Sequence, residues 1–171
     1  MKKLFPVVLG LTDGIITSLV FTAGLISSSG TIQLMTILKV SVGSSLIGAF
    51  SYFIAKYTEL RDELIRSGKR LNPSRPMHLL KSSQGLAIVL QSTGEALLAL
   101  GSGFTGAFMT TFPSDLFPGS GIVSMIFAVT ILAIMGGLIS RYLHGGPIRW
   151  ALTFAVMGII TTVLGIFLDI V

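Results

Sequence analysis

Five apolar stretches, each long enough to cross a lipid bilayer as a helix, constrain this chain more than any motif within it. A bilayer core of about 30 Å takes roughly 20 apolar residues in helical form. Such stretches run over about 4–26, 31–55, 84–112, 121–143 and 148–170. Only 11% of the residues are charged, against 51% hydrophobic, with a mean hydropathy of +0.87. Soluble domains carry about 25% charged residues, so the charges here are too few to coat a water-facing surface. The sequence predicts an all-α integral membrane protein, multi-pass, with residues 1–171 forming one five-helix transmembrane domain. Lys2 and Lys3 ahead of an apolar run resemble a cleavable signal. Asp13 interrupts that run and similar spans follow, so the first segment reads as a retained helix.

Basic residues orient the spans, because they are kept on the cytoplasmic side. Lys2 and Lys3 precede the first span, and Arg141 and Arg149 flank the turn between the fourth and fifth. Lys56, Arg61, Arg66, Lys69, Arg70, Arg75 and Lys81 lie between the second and third. Those eleven of the twelve basic residues fall on one side, which predicts a cytoplasmic amino terminus and an external carboxyl terminus. The net charge of +5 follows from this arrangement and does not indicate nucleic-acid binding.

A short basic cytoplasmic loop, 56–83, is the only sizeable water-facing piece. The second span is expected to extend into it as helix, since the stretch from Glu59 to Lys69 has helix-forming composition. Gly68, Pro73 and Pro76 then act as breakers. Its cations suit contact with anionic lipid headgroups.

Apart from Arg141 and Arg149 at the cytoplasmic turn, four charged residues fall within the spans or at their edges: Asp13, Lys39, Glu95 and Asp169. Asp169 reads as a solvated terminal charge. By the helical rise, Asp13 lies about 13 Å in from the cytoplasmic edge, Lys39 about 12 Å in from the outer edge, and Glu95 about 16 Å up the third span. All three approach the middle of the membrane, where an ionisable group is costly and points to function. One reading is a cation or proton path, with Asp13 and Glu95 as metal-binding carboxylates and Lys39 as their charge partner. The other is a structural ion pair such as Asp13–Lys39.

Little else carries chemistry. The chain has no cysteine, which excludes disulfides and thiolate metal sites. His78 and His144 have no metal-ligand spacing, no nucleophile–base set is visible, and no cofactor is called for, so an enzyme is not expected. Met35, Met109, Met125, Met135 and Met157 read first as space-filling. Gly101-Ser102-Gly103-Phe104-Thr105-Gly106 matches a dinucleotide pattern but lies in an apolar span without the required strand. The glycines there, with Gly10 and Gly14, suit close helix approach. The third span is long enough for tilt, a kink or a break, and is expected to stop at Pro113.

The segment Gly10-Leu11-Thr12-Asp13-Gly14-Ile15-Ile16-Thr17, continuing to Thr22-Ala23-Gly24, resembles the vacuolar iron transporter family. A second similarity is Gly48-Ala49-Phe50-Ser51-Tyr52-Phe53-Ile54-Ala55-Lys56. The span-four ending, Gly136-Gly137 to Arg141, also fits. The resemblance covers nearly the whole chain, although only the first motif is specific. It implies a five-helix protomer in a homodimer that exports divalent metal ions, Fe²⁺ or Mn²⁺, out of the cytoplasm in exchange for protons. Asp13 matches that family's membrane carboxylate. Lys39 stands where its second-span carboxylate is expected, Ile47 where a methionine is, and a basic loop replaces its acidic cytoplasmic helices. The alternative is therefore a relative with an altered substrate, or one that does not transport and serves as a membrane scaffold or partner-binding protein.

Overall fold

The computed structural model describes residues 4–27, 34–71, 83–116, 121–140 and 145–168. Five helices make up nearly all of it: α1 (Leu4–Ser27), α2 (Leu34–Leu71), α3 (Ser83–Leu116), α4 (Gly121–Ser140) and α5 (Pro147–Leu168). All five are long and apolar enough to cross a membrane. The parts of the expected spans and loop at 31–33, 72–82, 141–144 and 169–171 lie outside the described residues.

Two expected breaks are absent. α2 extends as helix beyond the apolar span, as expected over Glu59 to Lys69, but it passes through Gly68 unbroken and reaches Leu71. A lone helical glycine costs only about 1 kcal/mol, and Gly68 is buried, while Leu60 and Leu64 face a cleft shared with Ala87 and Ile88 of α3. α3 likewise passes through Pro113 and ends at Leu116. Proline removes one backbone donor and crowds the preceding turn. In membrane helices, Ser and Thr side chains and neighbouring helices absorb such a defect. The hydroxyls of Thr110 and Thr111 turn back onto the carbonyls of Gly106 and Ala107, just ahead of the Met109 carbonyl that the proline frees.

α1 is the hub, packed against every other helix and most extensively against α3. The reason is a row of small residues at a four-residue spacing, Gly10, Gly14, Ser18 and Thr22, which forms one face of the helix. That face meets a matching row on α3. A Cβ on Gly10 would strike the Ala99 carbonyl and the Ser102 hydroxyl, and one on Gly14 would strike the Gly103 carbonyl. One turn further on, the hydroxyls of Ser18 and Thr110 are hydrogen-bonded to each other, and Ser124 of α4 donates to the Thr110 carbonyl. Between apolar lipid and apolar side chains there is no hydrophobic drive for helices to associate. Close backbone packing and interhelical hydrogen bonds take its place.

The neighbouring face of α1, about 100° round the helix, is apolar. Ile15, Leu19 and Ala23 form a buried cluster with Met125, Ala128 and Leu132 of α4, flanked by Phe154 of α5. On the other side of the bundle, α2 packs along α3 through Ser41, Ser45, Ala49 and Tyr52, all buried. Among the described residues α2 meets neither α4 nor α5. Its remaining face, including Val42, Leu46, Phe50 and Ile54, is exposed, as suits a surface that meets lipid chains.

Candidate functional site

Contact between α1 and α2 is slight compared with what each makes to α3, and a groove of about 810 Å³ opens between them. Phe5, Leu9, Thr12, Asp13, Ile16 and Thr17 line it from α1. α2 contributes Ser44, Gly48, Ser51, Tyr52, Lys56 and Glu59, among others. From Ser44 to Glu59 is fifteen residues of α2, so the groove extends about 22 Å along the helix.

Asp13 sits partway along, half-buried, with its carboxylate against Gly48: a Cβ at that glycine would overlap Oδ2. Among the described residues, no hydrogen bond or ion pair reaches the Asp13 carboxylate. The hydroxyls around it are oriented by the helix backbones. Thr12 donates to the Val8 carbonyl at 2.9 Å, Thr17 to the Asp13 carbonyl at 2.9 Å, and Ser44 to the Ser41 carbonyl at 3.2 Å. A hydroxyl whose hydrogen is committed in this way keeps its lone pairs as acceptors. Around Asp13 the groove therefore presents one carboxylate, unpaired among the described residues, and several oxygen acceptors, a lining suited to a cation. At one end, Lys56 and Glu59 form an ion pair of 2.9 Å.

Glu95 is placed differently. It is 9% exposed, on the α3 side of Tyr52, and is not part of the groove lining. The Tyr52 hydroxyl donates to Glu95 Oε2 at 2.8 Å, and the Gln91 amide donates to Oε1 at 2.9 Å. Tyr52 is thus a wall between the two carboxylates, one face on the groove and its hydroxyl on Glu95. The Phe5 ring, with centroids 6.4 Å apart, packs against it at the groove's end.

Lys39 does not join them. It is exposed on α2 and makes no ion pair among the described residues. Because Asp13 is level with Gly48, Lys39 lies nine residues, or about 13 Å, further along the helix. Counting in from opposite edges of two spans does not fix their register, and the contact of Asp13 with Gly48 sets it. The described residues contain no group of three or more His, Cys, Asp and Glu side chains placed to hold a metal ion.

No protein-family model matches this chain, and no curated protein does either. Its function therefore has to be argued from the groove.

Three of the residues that shape the site carry no charge signal in the sequence: Gly48, Tyr52 and Gln91. Two spacings point to them in retrospect. Gly48 and Tyr52 are four apart on one face of α2, and Gln91 and Glu95 are four apart on one face of α3.

Proposed function

We propose that this protein is a membrane transporter that moves cations out of the cytoplasm, with Asp13 as the carboxylate that binds them and protons as the exchanged species. The observation that carries this reading is an intramembrane carboxylate, without a partner among the described residues, opening onto a groove whose nearby hydroxyls are left as oxygen acceptors and whose ammonium, Lys56, is paired with Glu59 at its end. Divalent ions of the Fe²⁺ and Mn²⁺ class are the cargo implied by the resemblance that begins at Gly10, as are the homodimer and the matching role of Asp13. The distribution of basic residues supports a cytoplasmic amino terminus, which puts the Lys56–Glu59 end of the groove on the cytoplasmic side.

Reconstituted into proteoliposomes under a pH gradient, the protein is expected to move Mn²⁺ or Fe²⁺. Asp13→Asn, which keeps shape and removes charge, is expected to abolish that flux while the protein stays folded. Unchanged flux in Asp13→Asn would take the aspartate out of the mechanism.

A lysine at 39, where the resemblance implies a carboxylate, favours a second reading, a relative that has an altered substrate or does not transport and acts as a scaffold. That reading predicts neither metal flux nor a metal-dependent thermal shift in the wild type. Gain of metal binding in Lys39→Glu would instead indicate a metal pathway closed by the lysine.

A further inference from the structure

We propose that Glu95 is a proton-binding site separate from the cation site at Asp13, and that the Tyr52 hydroxyl is the passage between Glu95 and the groove. The proposal rests on the transport reading for its purpose, but not for its test.

Three observations lead to it. Glu95 is enclosed, and both of its oxygens accept hydrogen bonds, from Tyr52 and from Gln91. A metal ion needs those lone pairs turned toward it, whereas a proton can be taken up on Oε2 with the Gln91 amide left in place and the hydrogen bond to Tyr52 reversed. Second, Tyr52 is the residue that both lines the groove and touches Glu95. Third, Tyr52 lies on the same face of α2 as Gly48, one turn away, so the helix that forms the floor under Asp13 also holds the door to Glu95.

The step balances without any further reagent than hydronium from water in the groove. Hydronium passes a proton to the Tyr52 oxygen as the phenolic proton moves to Glu95 Oε2. One O–H bond forms on Tyr52 and one breaks, so the phenol is unchanged, the water is neutral, and Glu95 becomes a neutral acid. Among the described residues, the ionisable groups on the helices packed around Glu95 include Tyr52, Lys56 and Glu59 on α2, and Asp13 on α1 beyond the tyrosine. Lys56 and Glu59 form an ion pair, which leaves Asp13 as the group whose charge a passing proton or cation alters most. A cation on Asp13 and a proton on Glu95 thus sit on two sides of one side chain.

Infrared difference spectroscopy of the purified, reconstituted protein through a pH titration tests this directly. The wild type is expected to show a protonated-carboxyl C=O band that disappears in Glu95→Gln, a substitution that preserves size. The band should remain in Asp13→Asn. In Tyr52→Phe it should move to higher frequency, because a hydrogen bond to the carboxyl is lost, and its appearance after a pH jump should slow. The band reports proton occupancy whether or not any ion crosses the membrane. Absent Mn²⁺ flux together with a Glu95-dependent band would therefore sink the transport reading and leave this proposal standing. A carboxyl band indifferent to Glu95→Gln, or loss of the Glu95 band on adding Mn²⁺ to Asp13→Asn, would overturn it, the latter by making Glu95 a metal ligand.

Discussion

The carboxylate of Asp13 on α1 rests against the bare backbone of Gly48 on α2. A methyl group on Gly48 would occupy the place of Oδ2, and since the carboxylate is the end of a rotatable side chain, the carboxylate is what moves. Gly48→Ala is therefore expected to weaken cation binding by about tenfold, equivalent to about 1.4 kcal/mol. Stability should hold or rise, because alanine is favoured over glycine in a helix by up to about 1 kcal/mol. Binding isotherms beside thermal melts separate the two effects. A matching loss in both would mean that Gly48 serves packing alone.

The α1–α3 seam responds in the opposite way. At Gly10 and Gly14 the obstacle to a Cβ is backbone carbonyl, which cannot rotate aside. Gly14→Ala is expected to destabilise by about 1–3 kcal/mol, the usual range for an overpacked core. Gly94→Ala and Gly101→Ala, where nothing lies within 4 Å of the added carbon, should be neutral or mildly stabilising. Denaturant unfolding in detergent measures all three, and equal losses at all of them would remove the case for a close-packed seam.

Thr110 joins three helices through two different atoms. Its hydroxyl pairs with Ser18 and its carbonyl accepts from Ser124. A double-mutant cycle of Ser18→Ala with Thr110→Val should show coupling of about 0.6 kcal/mol, the average for such bonds in membranes. The cycle of Ser124→Ala with Thr110→Val should show much less, since valine keeps the carbonyl. Equal coupling in both cycles would contradict this geometry.

Pro113 sits inside α3 and leaves the carbonyl one turn before it without a helical donor. Pro113→Ala restores the donor, and is expected to stabilise the helix by up to about 3 kcal/mol. Amide exchange in the turn that follows Met109 should slow in this variant, with the helix end unmoved. A less stable variant would show that the proline ring is held by packing that alanine cannot replace.

The helices were legible in the sequence because their signal is sheer apolar length, which survives any arrangement of neighbours. The small residues were legible as well, since Gly10 and Gly14 announce a close approach. Which helix approaches was not, because a four-residue spacing on α1 fits any partner with a similar row, and several spans have one. Asp13 and Glu95 stood out as charges in apolar surroundings. Whether they share a space depends on the tilt and rotation of α1, α2 and α3, and the bulk of Tyr52 divides them. Lys39 stands apart from Asp13 because depths counted from opposite edges do not fix the register of α1 against α2, which the Asp13–Gly48 contact sets. Gly48 could not be found at all from charge or polarity, because its contribution is the side chain it lacks.

The bond between Ser18 and Thr110 spans 92 residues of sequence. At synthesis rates of about 5–20 residues per second, α1 leaves the ribosome roughly 5–18 s before its partner on α3 exists. Throughout that interval its row of Gly10, Gly14, Ser18 and Thr22, and the nearby Asp13, face whatever surrounds the growing chain. α2 arrives next but offers α1 little cover. The first helix to be made must therefore be held at the insertion site, or remain partly hydrated there, until the third emerges. The centre of the finished bundle is the part that waits longest to be enclosed.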